Sequence, residues 1–222
     1  MARPTVIYFD IRARAEPIRL ILEEKAIAYE DRQITEHEWY ELRPRTPFGW
    51  LPAYREGDLE IWQSHAIYRH LARKHDLYGT SEAERIRCDV VEEAFADLNT
   101  LIGKAPWRLD FKRTRRDFIE SELSPVLDRL ERFLRTNPAG DSFWVGSSLT
   151  FVDLIALAHL DCTGSMYPEA MSRRSTLQEF CDGIAQLPRI AAYLRSNRRP
   201  QGIQYGPEGR IDARSLRGWV AS

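Results

Sequence analysis

A chain of 222 residues with 43% hydrophobic content can bury a real core, as one large domain or two small ones. Its formal net charge of −1 at pH 7 gives no polyelectrolyte signal, so neither nucleic acid nor an anionic membrane is an expected partner. Cys88, Cys162 and Cys181 are odd in number and far apart, which argues against a disulfide framework and for a reducing compartment.

In chain order, Arg3, Asp10, Arg12 and Arg14 precede any long apolar stretch, so no signal peptide is read there. No run approaches membrane-spanning length, and the expected location is the cytoplasm. Thr5-Val6-Ile7-Tyr8-Phe9 is a short β-prone run, and Pro17 suits the first turn of a helix carrying Ile18, Ile21 and Leu22 at helical spacing. Leu51 to Arg55 and Leu59 to Trp62 flank Glu56-Gly57-Asp58 as the arms of a hairpin. Ile67 and Leu71 then share a helical face. The order predicted is β-α-β-α-β-β-α, a thioredoxin-like layout. Tyr78-Gly79-Thr80-Ser81 reads as a linker, after which long helices take over. Ile86, Val90, Ala94, Leu98 and Leu101 mark the first of them. Phe111, Phe118, Val126, Leu130 and Phe133-Leu134 mark another, with Pro125 expected to bend it. Lys112 to Arg116 read as a solvated helix face. Thr150 and Asp153 form a capping box, with Leu149 and Leu154 placed as a hydrophobic staple.

The first 64 positions also carry an ordered set of side chains suited to a small peptide with two carboxylates and one thiol. Tyr8 ends the first strand, where open sheets present their sites. A free thiol has a pKa near about 8.5, so a thiolate nucleophile at neutral pH needs a hydrogen-bond donor such as a phenol. Arg14 follows just before the Pro17 helix, while Arg12 reads as an ordinary surface residue. Trp39 offers a single N–H donor and Arg43 a fork matched to carboxylate. Phe48-Gly49-Trp50-Leu51-Pro52 comes next, and then Gln63-Ser64, with Ser64 a candidate N-cap at a helix start that attracts carboxylate. Each residue alone has an ordinary structural use.

Together, in this order and spacing, they resemble the glutathione-binding half of a cytosolic glutathione S-transferase of the tyrosine type. The sigma class, that of haematopoietic prostaglandin D synthase, fits the interval from Trp39 to Pro52 better than pi, with mu and alpha as relatives. The resemblance implies an α/β plus all-α fold: a thioredoxin-like glutathione-binding domain over 1–79, a linker over 80–83 and an all-helical domain over 84–200. A C-terminal extension follows over 201–222. It implies glutathione as co-substrate, no metal, Tyr8 as the thiolate donor and Arg14 as its electrostatic support. Trp39 and Arg43 would hold the glycine carboxylate, Leu51 beside a cis Pro52 would pair with the cysteinyl backbone, and Gln63 and Ser64 would take the γ-glutamyl end. Trp50 stands where relatives carry glutamine or lysine, and Ala13 stands where they carry glycine.

Asp97 shares a helical face with Val90, Ala94 and Leu101, where a carboxylate is unexpected; the resemblance assigns it to the γ-glutamyl amine of the other subunit in a homodimer. Trp107 would line the pocket for a small hydrophobic electrophile. Two alternatives stay open: a glutathione-dependent isomerase or synthase, and a non-catalytic ligand-binding member of the fold. Beyond about Pro200, Gly202, Gly206, Pro207 and Gly209 argue against regular structure. Ile203, Tyr205, Leu216, Trp219 and Val220 are nevertheless too apolar for a free tail, which is expected to fold back as a lid or as a distant strap.

Overall fold

The computed structural model describes residues 3–207 and 209–212. The first half runs β1 (Thr5–Tyr8), α1 (Glu16–Glu24), β2 (Glu30–Gln33), α2 (Glu36–Leu42), β3 (Ala53–Glu56), β4 (Leu59–Trp62) and α3 (Ser64–Lys74). The sheet order is β2-β1-β3-β4, with β1 parallel to β2 and antiparallel to β3. The predicted β-α-β-α-β-β-α layout is therefore present. β2, with the polar sequence Glu-Asp-Arg-Gln, is an edge strand that no apolar pattern announces.

The helical half follows as α4 (Glu82–Lys104), α5 (Phe111–Phe118), α6 (Ser124–Leu134), α7 (Phe151–Met166), α8 (Pro168–Met171), α9 (Ser175–Ala185) and α10 (Pro188–Arg195). α7 is buried along nearly its whole length and packs on α1, α4 and α9. A helix that is apolar all round belongs in an interior, and this one forms the spine of the core. Its start is fixed as expected: the Thr150 amide and hydroxyl donate to Asp153 Oδ2 at 2.7 and 2.8 Å, and the Trp144 amide donates to Oδ1 at 2.8 Å. The bend expected at Pro125 is a single π-helical turn over Ile119–Leu123, with the proline in the first turn of α6.

Three expectations need correction. On α4 the buried apolar side chains are Cys88, Val91, Phe95, Leu98 and Ile102, whereas Ile86 and Val90 face outward, Val90 being 49% exposed. Two apolar stripes run along this helix, and periodicity alone does not say which one meets the core. Arg12 is buried rather than superficial: its guanidinium donates to the Pro200 carbonyl at 3.1 Å and to Asp161 on α7 at 2.9 Å. The tail, finally, is regular. β5 (Gly202–Gly206) and β6 (Gly209–Asp212) form an antiparallel hairpin, and the Arg12 amide donates to the Gly202 carbonyl at 2.8 Å. The glycines permit this rather than prevent it. A β-carbon on Gly202 would stand 2.7 Å from Ile11 and 2.8 Å from the Asp10 carbonyl, so only glycine lets the tail approach the end of β1 so closely. Leu216, Trp219 and Val220 lie outside the described residues.

An ionic network joins the two halves beneath this contact. Arg199 bridges Glu16 on α1 at 2.7 Å and Asp161 on α7 at 2.6 Å, and Tyr193 on α10 donates to Glu16 at 3.2 Å. Arg19, fully buried, pairs with Asp31 at 3.1 Å and donates to the Ile11 carbonyl at 3.0 Å. A second network has Arg69 on α3 bonded to Asp89, Glu92 and Glu93 on α4, with His65 paired to Glu92.

Candidate active site

Strand register collects the sequence-predicted residues at one end of the sheet. Ile7 on β1 faces Ala53 on β3, and Ala53 faces Trp62 on β4. The next residues outward are Tyr8, Pro52 and Gln63, so three distant segments converge there. The Leu51–Pro52 peptide is cis, and both residues are buried. Gln63 holds a positive φ of 75°, a costly backbone state for a residue with a side chain, and it occupies the cap position of α3. Ser64, expected as the N-cap, is instead the first residue of the helix, and its hydroxyl is buried.

Tyr8 is buried at the floor of a cleft of about 280 Å³, with Arg14 in the same wall. Burial raises the Tyr8 pKa, against the opposing pull of the Arg14 charge and the Arg14 backbone N–H. The phenol therefore keeps its proton at neutral pH and is available as a donor. Arg14 is held by its backbone, since the Tyr68 hydroxyl donates to the Arg14 carbonyl at 2.5 Å. Between Arg12 and Arg14, Ala13 adopts φ 33°, a left-handed state in which a β-carbon costs about 1 kcal/mol.

Trp39 is half-buried on α2 and meets the ring of Phe9 edge-on at 6.1 Å, while Phe9 contacts Tyr8 at 5.6 Å. Arg43 is exposed, in a loop shaped by Thr46, whose hydroxyl donates to the Arg43 carbonyl and accepts from the Gly49 amide, both at 2.9 Å. Phe48 and Trp50 stand out from this loop, 63% and 64% exposed. Asp97 is exposed on the outward stripe of α4, and neither it nor Trp107, 59% exposed, lines the cleft at Tyr8.

Residues that sequence reasoning did not place here complete the cleft. Phe9, Ile11 and Ala13 supply its apolar part. The end of α4 contributes Asn99, Thr100 and Lys104, and the hairpin contributes Gln204 and Tyr205. Tyr205 meets Phe9 edge-on at 5.4 Å. The apolar character of Ile203 and Tyr205 was the available signal; their position depends on a contact some 190 residues away in the chain, at Ile11 and Arg12.

A family model described as "Glutathione S-transferase, N-terminal domain" matches residues 4–73, and another described as "Glutathione S-transferase, C-terminal domain" matches residues 96–197. A Glutathione S-transferase P of Caenorhabditis elegans is 36% identical over 187 residues, covering 84% of this chain and 89% of that protein. The chain belongs to the glutathione S-transferase family. Among solved structures, the Onchocerca volvulus pi-class glutathione S-transferase is 29% identical with a TM-score of 0.80, over 86% of this chain and 91% of its own. Rat hPGDS complexed with a quinoline is 27% identical with a TM-score of 0.79, over 90% and 98%. Likenesses to P-type, pi-class and hPGDS proteins thus stand side by side and do not single out the sigma class. This transferase carries the thioredoxin-like and helical domains of its family, and its activity is glutathione conjugation.

Proposed function

We propose that Tyr8 donates a hydrogen bond to the thiolate of glutathione, which then attacks a carbon electrophile held in the cleft beside it. The observation that carries this reading is a buried phenol, kept protonated by burial, at the sheet end where Arg14, cis-Pro52 and Gln63 also arrive. A charge-directed hydrogen bond contributes about 1.5–3 kcal/mol, which lowers a thiol pKa by roughly one to two units. Trp39 and Arg43 would take the glycine carboxylate, and the Leu51 backbone would pair with the cysteinyl residue. Gln63 and the buried Ser64 hydroxyl would take the γ-glutamyl carboxylate at the N-terminus of α3. Trp50, exposed as it is, would narrow the glutathione end. Replacing Tyr8 by Phe should reduce turnover at neutral pH by about 10- to 100-fold while the fold stays intact. Unchanged turnover would remove Tyr8 from the role.

The same reading includes a homodimer in the cytoplasm, with detoxification as its use. Ile86 and Val90 on the outward side of α4, and Phe48 in the loop after α2, are exposed apolar side chains of the kind a second copy covers. Asp97 lies on that side of α4 and would reach the γ-glutamyl amine bound in the partner subunit. Light scattering at micromolar concentration should give twice the chain mass; a mass of one chain would refute the assembly. A synthase or isomerase would share Tyr8, and no observation at the cleft favours it over conjugation.

A further inference from the structure

Tyr68 is wholly enclosed on α3, yet it carries a phenol where an aliphatic side chain would fill the space with no polar atom to satisfy. Its neighbours Ile67 and Leu71 serve the core in that ordinary way. The Tyr68 phenol instead donates to the Arg14 carbonyl at 2.5 Å. On the other side of the Arg14 α-carbon, the Arg14 backbone N–H donates to the Tyr8 oxygen. One residue thus stands between two phenols, accepting from Tyr68 and donating to Tyr8. The turn that presents it is strained: Ala13 holds φ 33°, and such a state persists only where its surroundings hold it.

Tyr68 is itself fixed from several sides. Ser64 precedes it by four residues, on the same face of α3. Burial raises the Tyr68 pKa, opposed by the Ser64 hydroxyl and the Arg14 charge, with Tyr8 and Glu92 adding to it. The phenol therefore keeps its proton near neutral pH. Its ring meets that of His65 edge-on at 5.6 Å. His65 pairs with Glu92, a fully buried carboxylate of α4 that Arg69 also holds. From α7, His159 is acted on by both His65 and Arg14.

Resting on the reading of Tyr8 as thiolate donor, we propose that Tyr68 is a positioning residue for glutathione activation. Its phenol pins the Arg14 turn to the first turns of α3, so the thiol end and the γ-glutamyl end of the site keep a fixed spacing. The pinned Arg14 N–H draws charge from the Tyr8 oxygen and makes Tyr8 a stronger donor to the thiolate. Linked hydrogen bonds strengthen one another in this way where water is excluded. Tyr68 does not line the cleft and acts through Arg14.

The test titrates glutathione bound to the full-length protein and follows turnover of an aryl halide against pH. Tyr68→Phe keeps the ring and removes only the hydroxyl. Its bound thiol should titrate about half a pH unit above native, so kcat/KM should fall about threefold below that pKa and approach the native value above it. KM for the halide should not move. A residue that merely supports the fold would lower the thermal midpoint and leave the titration alone. In a Tyr8→Phe background the Tyr68 change should add nothing to the thiol pKa, since the route through Tyr8 is already gone. Tyr68→Leu, which lacks the ring as well, should shift the thiol equally and lower the thermal midpoint further. An unmoved titration in Tyr68→Phe, or an undiminished increment on top of Tyr8→Phe, overturns the proposal. Failure of both Tyr68 variants to fold makes Tyr68 a residue of the fold alone and overturns it too. A shift in Tyr8→Phe without one in Tyr68→Phe sinks this proposal by itself, while no shift in Tyr8→Phe sinks the Tyr8 reading along with it.

Discussion

The Tyr8 wall and the hairpin wall face one another across the same cleft and are built in opposite ways. The first is made of short segments at the end of one sheet, where strand register brings Tyr8, Pro52 and Gln63 together within the first 64 residues. The second joins the C-terminal turn of α4 to a hairpin that begins at Gly202, and it is held to the first domain by Arg12. The first wall needs only a correctly formed sheet. The second needs a buried ionic network spanning both halves of the chain. Chemistry shared across a family can reside in the wall that folds locally, and selectivity for one electrophile can reside in the wall assembled last.

Breaking the network should separate the walls most sharply. Arg12→Met leaves Asp161 with one cation fewer and frees the Pro200 carbonyl. Removing one partner of a buried ion pair costs about 3–5 kcal/mol, which should lower the thermal midpoint by roughly 10 °C. Protease sensitivity of the tail should rise with it. Arg14→Met, at a half-exposed residue of the other wall, should impair glutathione use with little effect on the midpoint. Equal loss of stability in the two variants, measured by calorimetry, would contradict the contrast.

A second, smaller effect comes from beneath the Tyr8 wall. His159 on α7 is fully enclosed, and burial, with the charges of His65 and Arg14 adding to it, pushes its pKa down to about 3. A histidine depressed in the folded state contributes stability above its unfolded pKa of about 6.5, and that stability is lost as pH falls through the folded value. Stability should therefore decline by about 1.4 kcal/mol per pH unit from this group below pH ~6. Denaturant titrations of His159→Leu should show a shallower acid slope than the native protein. An identical slope would mean that His159 is not neutral in the fold.

Smallest is the effect at Ala13, whose φ of 33° belongs to the region glycine prefers. Ala13→Gly should raise stability by about 1 kcal/mol by removing the β-carbon strain, as read from urea midpoints at unchanged slope. A loss of stability would mean that the greater freedom of glycine in the unfolded chain outweighs the strain.

Much of the Tyr8 wall was legible because it depends on local patterns: an apolar strand ending in tyrosine, a hairpin turn, and a proline immediately before the hairpin's first strand. The capping box at Thr150 and Asp153 was legible for the same reason. What escaped was non-local. Arg12 and Arg14 are equivalent in sequence, and only the fold decides that one is buried under the tail while the other lines the cleft. The glycines after Pro200 read as breakers, yet Gly202 serves a close approach whose partner, Ile11, lies far off in the chain. On α4 the sequence carries apolar residues on two faces, so periodicity found a helix but joined the outward Ile86 and Val90 to the buried Leu98. Trp107 was placed at the pocket by family resemblance, and in the turn after α4 it stands exposed and outside the cleft lining.

The central claim is that the Tyr8 phenol lowers the pKa of the bound thiol. The direct measurement is a pH titration of glutathione bound to the protein, following thiolate absorbance in the ultraviolet, for the native chain and for Tyr8→Phe. The native complex should titrate roughly one to two units below the variant complex, the equivalent of one hydrogen bond to charge. Coincident titration curves for the two complexes would contradict it.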